Sequence, residues 1–146
     1  MASVLSCHIV VKGAARAIDY YCRVLGAREA YRLTWPDGRV AHAELRFGDE
    51  LLLLADEHAD FGAMSPASIG GTPVNLSLYV DDVDATLAKA EAEGGTVLRA
   101  AHDEFYGDRA GMLLDPFGHK WHIGTRRENL SEQQIKQRWE KVRTQG

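Results

Sequence analysis

Apolar and polar positions fall into one pattern that runs through this chain twice. Leu5–Val11 alternates, with Cys7, Ile9 and Val11 on one side and Ser6, His8 and Val10 on the other, as a half-buried strand does. The period then changes. Ala14, Ala17, Ile18, Tyr21, Cys22 and Leu25 recur at helical spacing and predict a helix over Ala14–Leu25, stopped by Gly26. Strands follow at Arg28–Thr34, Val40–Phe47 and Leu51–Ala55, with Pro36-Asp37-Gly38 and Gly48-Asp49 turning between them. A step of 69 residues from Ser6 to Asn75 lays Ser6–Val11 on Asn75–Val80, Ile18 on Leu87 and Gly26 on Gly95. The pairs Phe47-Gly48 and Phe117-Gly118 lie 70 apart near the end of each half.

The second half therefore predicts a strand at Asn75–Val80 and a helix capped by Asp81 or Asp82, running to about Glu93 before Gly94-Gly95. Strands follow near Thr96–Ala100, Gly111–Leu114 and Lys120–Gly124, with a loop at Asp103–Ala110. Between the halves, Asp56–Pro73 is rich in Gly, Ala, Ser and Pro, has no period, and reads as a connector. Ser131 and Gln134 form a capping box opening a polar helix to about Arg143. Its stripe of Ile135, Trp139 and Val142 suits packing on the body or on a second chain. The expected fold is α+β, one domain over 1–146. It holds two tandem βαβββ modules (4–55 and 74–125), a connector (56–73) and a C-terminal helix (130–143). Each sheet has one face covered by its helix and one left open. Two curved, mostly antiparallel sheets side by side are expected to form a cleft between their open faces, a place for a small ligand.

Composition narrows the partners. A net charge of −4, with Arg126-Arg127 the one basic pair that stands out, argues against nucleic acid. No signal-peptide pattern and no apolar run of about 18 residues is present, so a cytoplasmic protein with no membrane partner is expected. Cys7 and Cys22, on a strand and a helix stripe, read as small hydrophobes and not as a disulfide framework.

Strand parity sorts the candidate chemistry. On Val40–Phe47 the face opposite Ala41, Ala43, Leu45 and Phe47 carries His42, Glu44 and Arg46. The matching faces carry Ser6 and His8, then Asn75, Ser77 and Tyr79, and His122 on the last strand. One such face on its own reads as solvated sheet; repeated on two sheets, it reads as the lining of a ligand site. Trp35, Tyr79, Phe105 and Tyr106 offer flat surfaces for an aromatic ligand, and Arg46 and Arg109 a fork for an anion. Glu44 is the candidate general base, a role that requires burial to raise its pKa. His102 and His119, in or beside loops, are expected at the surface.

The repeated modules, the phrase AIDYYCRVLGA in the first helix and DPFGHKWHI near the end resemble the vicinal oxygen chelate superfamily over residues 4–125. That group includes glyoxalase I, extradiol dioxygenases and bleomycin-resistance binding proteins. The resemblance implies a homodimer, and in metal-dependent members a ligand on the first and last strand of each module. Those positions here are Ser6, Leu52, Asn75 and His122. Only His122 is a good donor for a divalent ion. The expectation is thus a small-molecule-binding protein without the standard metal and without a cofactor. The alternative is a metal-dependent lyase, isomerase or dioxygenase that holds one divalent metal on a displaced His8, Glu44 and His122 set.

Overall fold

The computed structural model of the chain describes residues 2–145. Strand β1 (Cys7–Val11) leads into helix α1 (Ala14–Leu25), then β2 (Arg28–Thr34), β3 (Val40–Phe47) and β4 (Glu50–Asp56). These strands form a mixed sheet in the order β1-β4-β3-β2, parallel between β1 and β4 and antiparallel elsewhere. The α1 stripe of Ala14, Ala17, Ile18, Tyr21 and Leu25 is buried, as are Ile9, Val11, Ala43, Leu45, Leu52 and Leu54 of the sheet. Gly26 closes α1 at φ 79°, a left-handed stop that L side chains resist. The start of α1 has no side-chain cap of its own. Asp56, at the end of β4, accepts from Gly13 N (2.9 Å) and Ala14 N (2.8 Å) and ties helix to sheet.

The connector is more structured than its composition suggests. It holds a 3₁₀ turn (Ala59–Phe61), a bridge between His58 and Ala63, and a four-residue helix α2 (Pro66–Ile69). Glu57 anchors it by accepting from Ser65 N (2.7 Å) and Ser65 Oγ (2.8 Å). Hydrogen bonds from Ser68 and Ser65 hold the Glu57 carboxyl down at about 2.

The second sheet repeats the first. Strand β5 (Asn75–Tyr79), helix α3 (Val83–Ala92), β6 (Thr96–Asp103), β7 (Asp108–Leu114) and β8 (Lys120–Arg126) give the order β5-β8-β7-β6 with the same parallel and antiparallel pairs. Asp82 caps α3 by accepting from Ala85 N (3.1 Å). Val83, Leu87 and Ala90 face Leu113, Trp121 and Ile123 in the core. The expected loop at Asp103–Ala110 shrinks to Glu104–Gly107, because β7 begins at Asp108. Its two charged residues did not suggest a strand, yet each finds a partner, as described below. Helix α4 (Glu132–Gln145) opens on the predicted capping box, with Gln134 N donating to Ser131 Oγ (3.2 Å) and Ser131 N to Gln134 Oε1 (2.9 Å).

The chain divides into two compact units. The first runs to Val74 and also takes in the turn Asp115–His119; the second holds Asn75–Leu114 and the chain from Lys120 onward. Within the first unit that turn explains why Tyr20 is buried although it lies off the predicted stripe. Phe117 packs edge-on against Tyr20 and Tyr21, each at 6.0 Å between ring centres. His119, expected at the surface, is buried, its Nε2 2.8 Å from the carbonyl of Val10 on the edge strand β1.

Candidate functional site

The open face of the first sheet is built by register. His8 pairs with Leu53, Leu53 with Glu44, and Glu44 with Tyr31, so the four side chains lie in one row across the sheet. Tyr31 Oη donates to Glu44 Oε2 at 2.9 Å, and His42 Nε2 lies 3.3 Å from the same oxygen. The His42 ring stacks on His8 with centres 6.0 Å apart and lies 5.9 Å from the Tyr31 ring. Beside His8, a shallow groove of about 200 Å³ adds apolar walls from Val10, Met64, Pro66 and Ile69.

Electrostatics give this row a fixed character. The hydrogen bond from Tyr31 and then that from His42, with charge from His42 and Arg46, hold the Glu44 carboxyl below its ordinary range. Partial burial and the neighbouring His42 push His8 down, which favours its neutral ring. Glu44 is therefore an ionised carboxylate framed by aromatic edges. A general base working near neutral pH requires a shift in the other direction.

The open face of the second sheet carries two groups. Asn75, Ser77 and Tyr79 of β5 pair with Lys120, His122 and Gly124 of β8. The turn after β6 brings Tyr106 Oη to 3.0 Å from His122 Nε2. Further along the face, Tyr79 Oη donates to Asp108 Oδ2 at 2.5 Å and accepts from Arg126 Nη2 at 3.1 Å. The Arg126 guanidinium lies over the Tyr79 ring, 4.9 Å from its centre, and 3.7 Å from the Asp108 carboxylate. Asp108 is 3% exposed, a buried charge kept tenable by these two partners.

Two sequence assignments are corrected here. Arg109 points to the helix side, with Nε and Nη2 forked on Asp84 of α3 (2.7 and 3.1 Å) and Nη1 on Asp103 (3.3 Å), so its fork is not open to an anion. The cation on the open face is Arg126, which strand alternation past Gly124 would have placed there had β8 been extended to it. Leu52 is 5% exposed and lies with Leu45 and Leu54 in the core. The register shows its replacement. His122 pairs with Ser77, two residues after Asn75; the residue that pairs with His8, two after Ser6, is Leu53. Tyr31, which bonds Glu44, is the member of this candidate site that the sequence does not signal. Trp35 packs with the connector rings of His58 (5.8 Å) and Phe61 (6.4 Å).

By register, the positions that correspond to the expected ligand positions are Ser6 and Leu53 in the first unit and Asn75 and His122 in the second. One imidazole, one alkyl chain, one hydroxyl and one amide do not fit a divalent transition metal, which needs imidazole, carboxylate or thiolate donors. His122 moreover has Tyr106 at its Nε2. Among the described residues, no three His, Cys, Asp or Glu side chains are grouped so as to hold an ion.

Comparison with known proteins places this geometry in context. The family profile described as the Glyoxalase/Bleomycin resistance protein/Dioxygenase superfamily matches residues 3–123. An uncharacterised protein of Mycobacterium bovis is 43% identical over 133 residues, covering 88% of each chain. A lactoylglutathione lyase of Neisseria meningitidis is 26% identical over 106 residues, covering 72% of this chain and 77% of that protein. In structure, a Pseudomonas aeruginosa protein superposes with a TM-score of 0.71 at 22% identity, over 87% of this chain and all of the other.

Proposed function

We propose a binding function from one premise: the chain belongs to the glyoxalase/bleomycin resistance protein/dioxygenase superfamily. It binds a small amphipathic molecule on the open, polar sheet faces and does so without the superfamily's metal. The observation that carries this reading is the Tyr31, Glu44 and His42 group. A carboxylate held ionised between flat rings recognises a cationic, planar ligand, through charge at Glu44 and ring contact at His42 and Tyr31. His8 and the groove beside it take the apolar part. Tyr106 and His122, with Ser77 and Asn75, offer a second set of hydrogen-bonding groups. The working form is a homodimer in the cytoplasm. No helix among the described residues is long and apolar enough to cross a membrane.

A second reading has one observation in its favour, the likeness to a lactoylglutathione lyase. In that reading the protein is a metal-dependent lyase, isomerase or dioxygenase, and the donor set described above speaks against it.

The test uses berberine, a flat fluorescent cation. Titration of the full chain should give saturable binding that Glu44→Gln weakens about fivefold, while the melting temperature moves by no more than a few degrees. Equal affinity in the variant, or no saturable binding at all, would contradict the reading.

A further inference from the structure

Helix α4 is an outlier in this fold. None of its residues is buried, and Trp139, in the middle of its apolar stripe, is 48% exposed. A helix that contributes nothing to a core must be accounted for by what it touches. Its contacts concentrate on the turn that carries Tyr106. The Trp139 ring lies 5.5 Å from Phe105, and Phe105 stands edge-on to Tyr106 at 5.2 Å and 88°. One residue earlier, Arg138 donates to both oxygens of Glu128 at 2.8 Å, and its Nη1 reaches the carbonyl of Phe105 at 3.3 Å. Glu128 grips the same turn from its other end, since its backbone N donates to Gly107 O at 2.9 Å. The approach is close: a Cβ on Gly107 would meet Glu128 O at 3.0 Å.

We infer that Trp139 and Arg138 are positioning residues, through which the C-terminal helix holds Tyr106 against His122 on the open face of the second sheet. The inference rests on the proposal that this pair is part of the ligand site, but its physical content is independent of any ligand. The turn Glu104–Gly107 has short hydrogen bonds of its own at its ends, with Glu104 N donating to Asp108 O (2.7 Å) and Gly107 N to Glu104 O (3.2 Å). Those bonds shape the backbone and leave the Phe105 and Tyr106 side chains to be set by what packs on them. Trp139 supplies that packing for Phe105, and Phe105 for Tyr106.

The test needs no ligand. In the full chain labelled with ¹⁵N-histidine, Tyr106→Phe removes the hydroxyl and marks where the His122 Nε2 resonance lies without its partner. Trp139→Ala should move that resonance at least about half of the way to the same value. Trp139→Phe, which keeps a ring against Phe105, and Val142→Ala, farther along the stripe, should leave it in place. Arg138→Ala should shift it in the same direction. A His122 resonance unchanged in Trp139→Ala would overturn the inference, as would an equal shift in Val142→Ala. Failure of berberine to bind would sink the ligand reading and leave this result standing.

Discussion

Asp115→Ala is expected to destabilise the protein by about 3 kcal/mol and lower its melting temperature by about 10 °C. Asp115 is 3% exposed and Tyr21 0%. The Tyr21 hydroxyl donates to Asp115 Oδ2 at 2.5 Å, and Asp115 Oδ1 accepts from Phe117 N (2.8 Å) and His119 N (3.0 Å). Truncation at Asp115 would take a hydrogen-bond partner from a buried hydroxyl and from two turn amides at once. Tyr21→Phe removes one bond and should be milder, at roughly 1 to 2 kcal/mol. The pair also has a pH signature. Burial, then the charge of Asp115, raises the Tyr21 pKa well above its ordinary value. The unfolded hydroxyl ionises near 10 while the folded one stays protonated. This contribution is thus fully present below about pH 10 and is lost as pH rises from there toward the folded value. Urea unfolding across that range should show a shallower alkaline fall in Tyr21→Phe than in the unmodified protein; identical slopes would contradict the assignment.

Gly111→Ala should lose about 3 kcal/mol, although it adds one methyl group. Gly111 lies at the centre of β7 beneath α3. A Cβ there would meet Leu87 Cδ1 at 2.7 Å, Arg99 O at 2.8 Å and Ala101 N at 3.1 Å. The leucine can turn away. The other two atoms belong to the backbone of β6, where the pairing with β7 slips between Arg99 and His102. Relief would require the sheet to part at that slip. Chemical denaturation should find the loss, and a stability within about 0.5 kcal/mol of the unmodified chain would show that β6 is not packed on Gly111.

What the sequence made legible follows from what writes a pattern. Helix α1 and strands β2 and β3 were bounded to the residue, because Gly26, the Pro36-Asp37-Gly38 turn and Phe47-Gly48 punctuate clean periods. The repeat carried the second module by analogy with the first, and the capping box at Ser131 announced α4. The errors have physical causes. Leu51–Leu54 is four leucines in succession, so no polar residue reveals which of Leu52 and Leu53 faces the helix; only the pairing with His8 decides it. Strand β7 begins before its apolar run, because Asp108 and Arg109 have the polarity of loop residues and their partners Tyr79 and Asp84 lie far away in sequence. The place of Tyr31 beside Glu44 depends on a register slip in β2 after Glu29, which no local signal records. The Glu44 face itself was legible from parity alone. The hydrogen bond from Tyr31 was not, because Tyr31 reaches it across the strand pair and past the register slip.

The proposed recognition through Glu44 and its aromatic neighbours, and not through a metal at His122, has a direct test. The most direct measurement titrates berberine into protein stripped with a chelator, then into the same protein given one equivalent of Zn²⁺ or Ni²⁺. The same dissociation constant is expected in both arms, with about fivefold weaker binding in Glu44→Gln in both. Saturable binding that emerges only in the metal-loaded arm, and vanishes in His122→Ala, would contradict it.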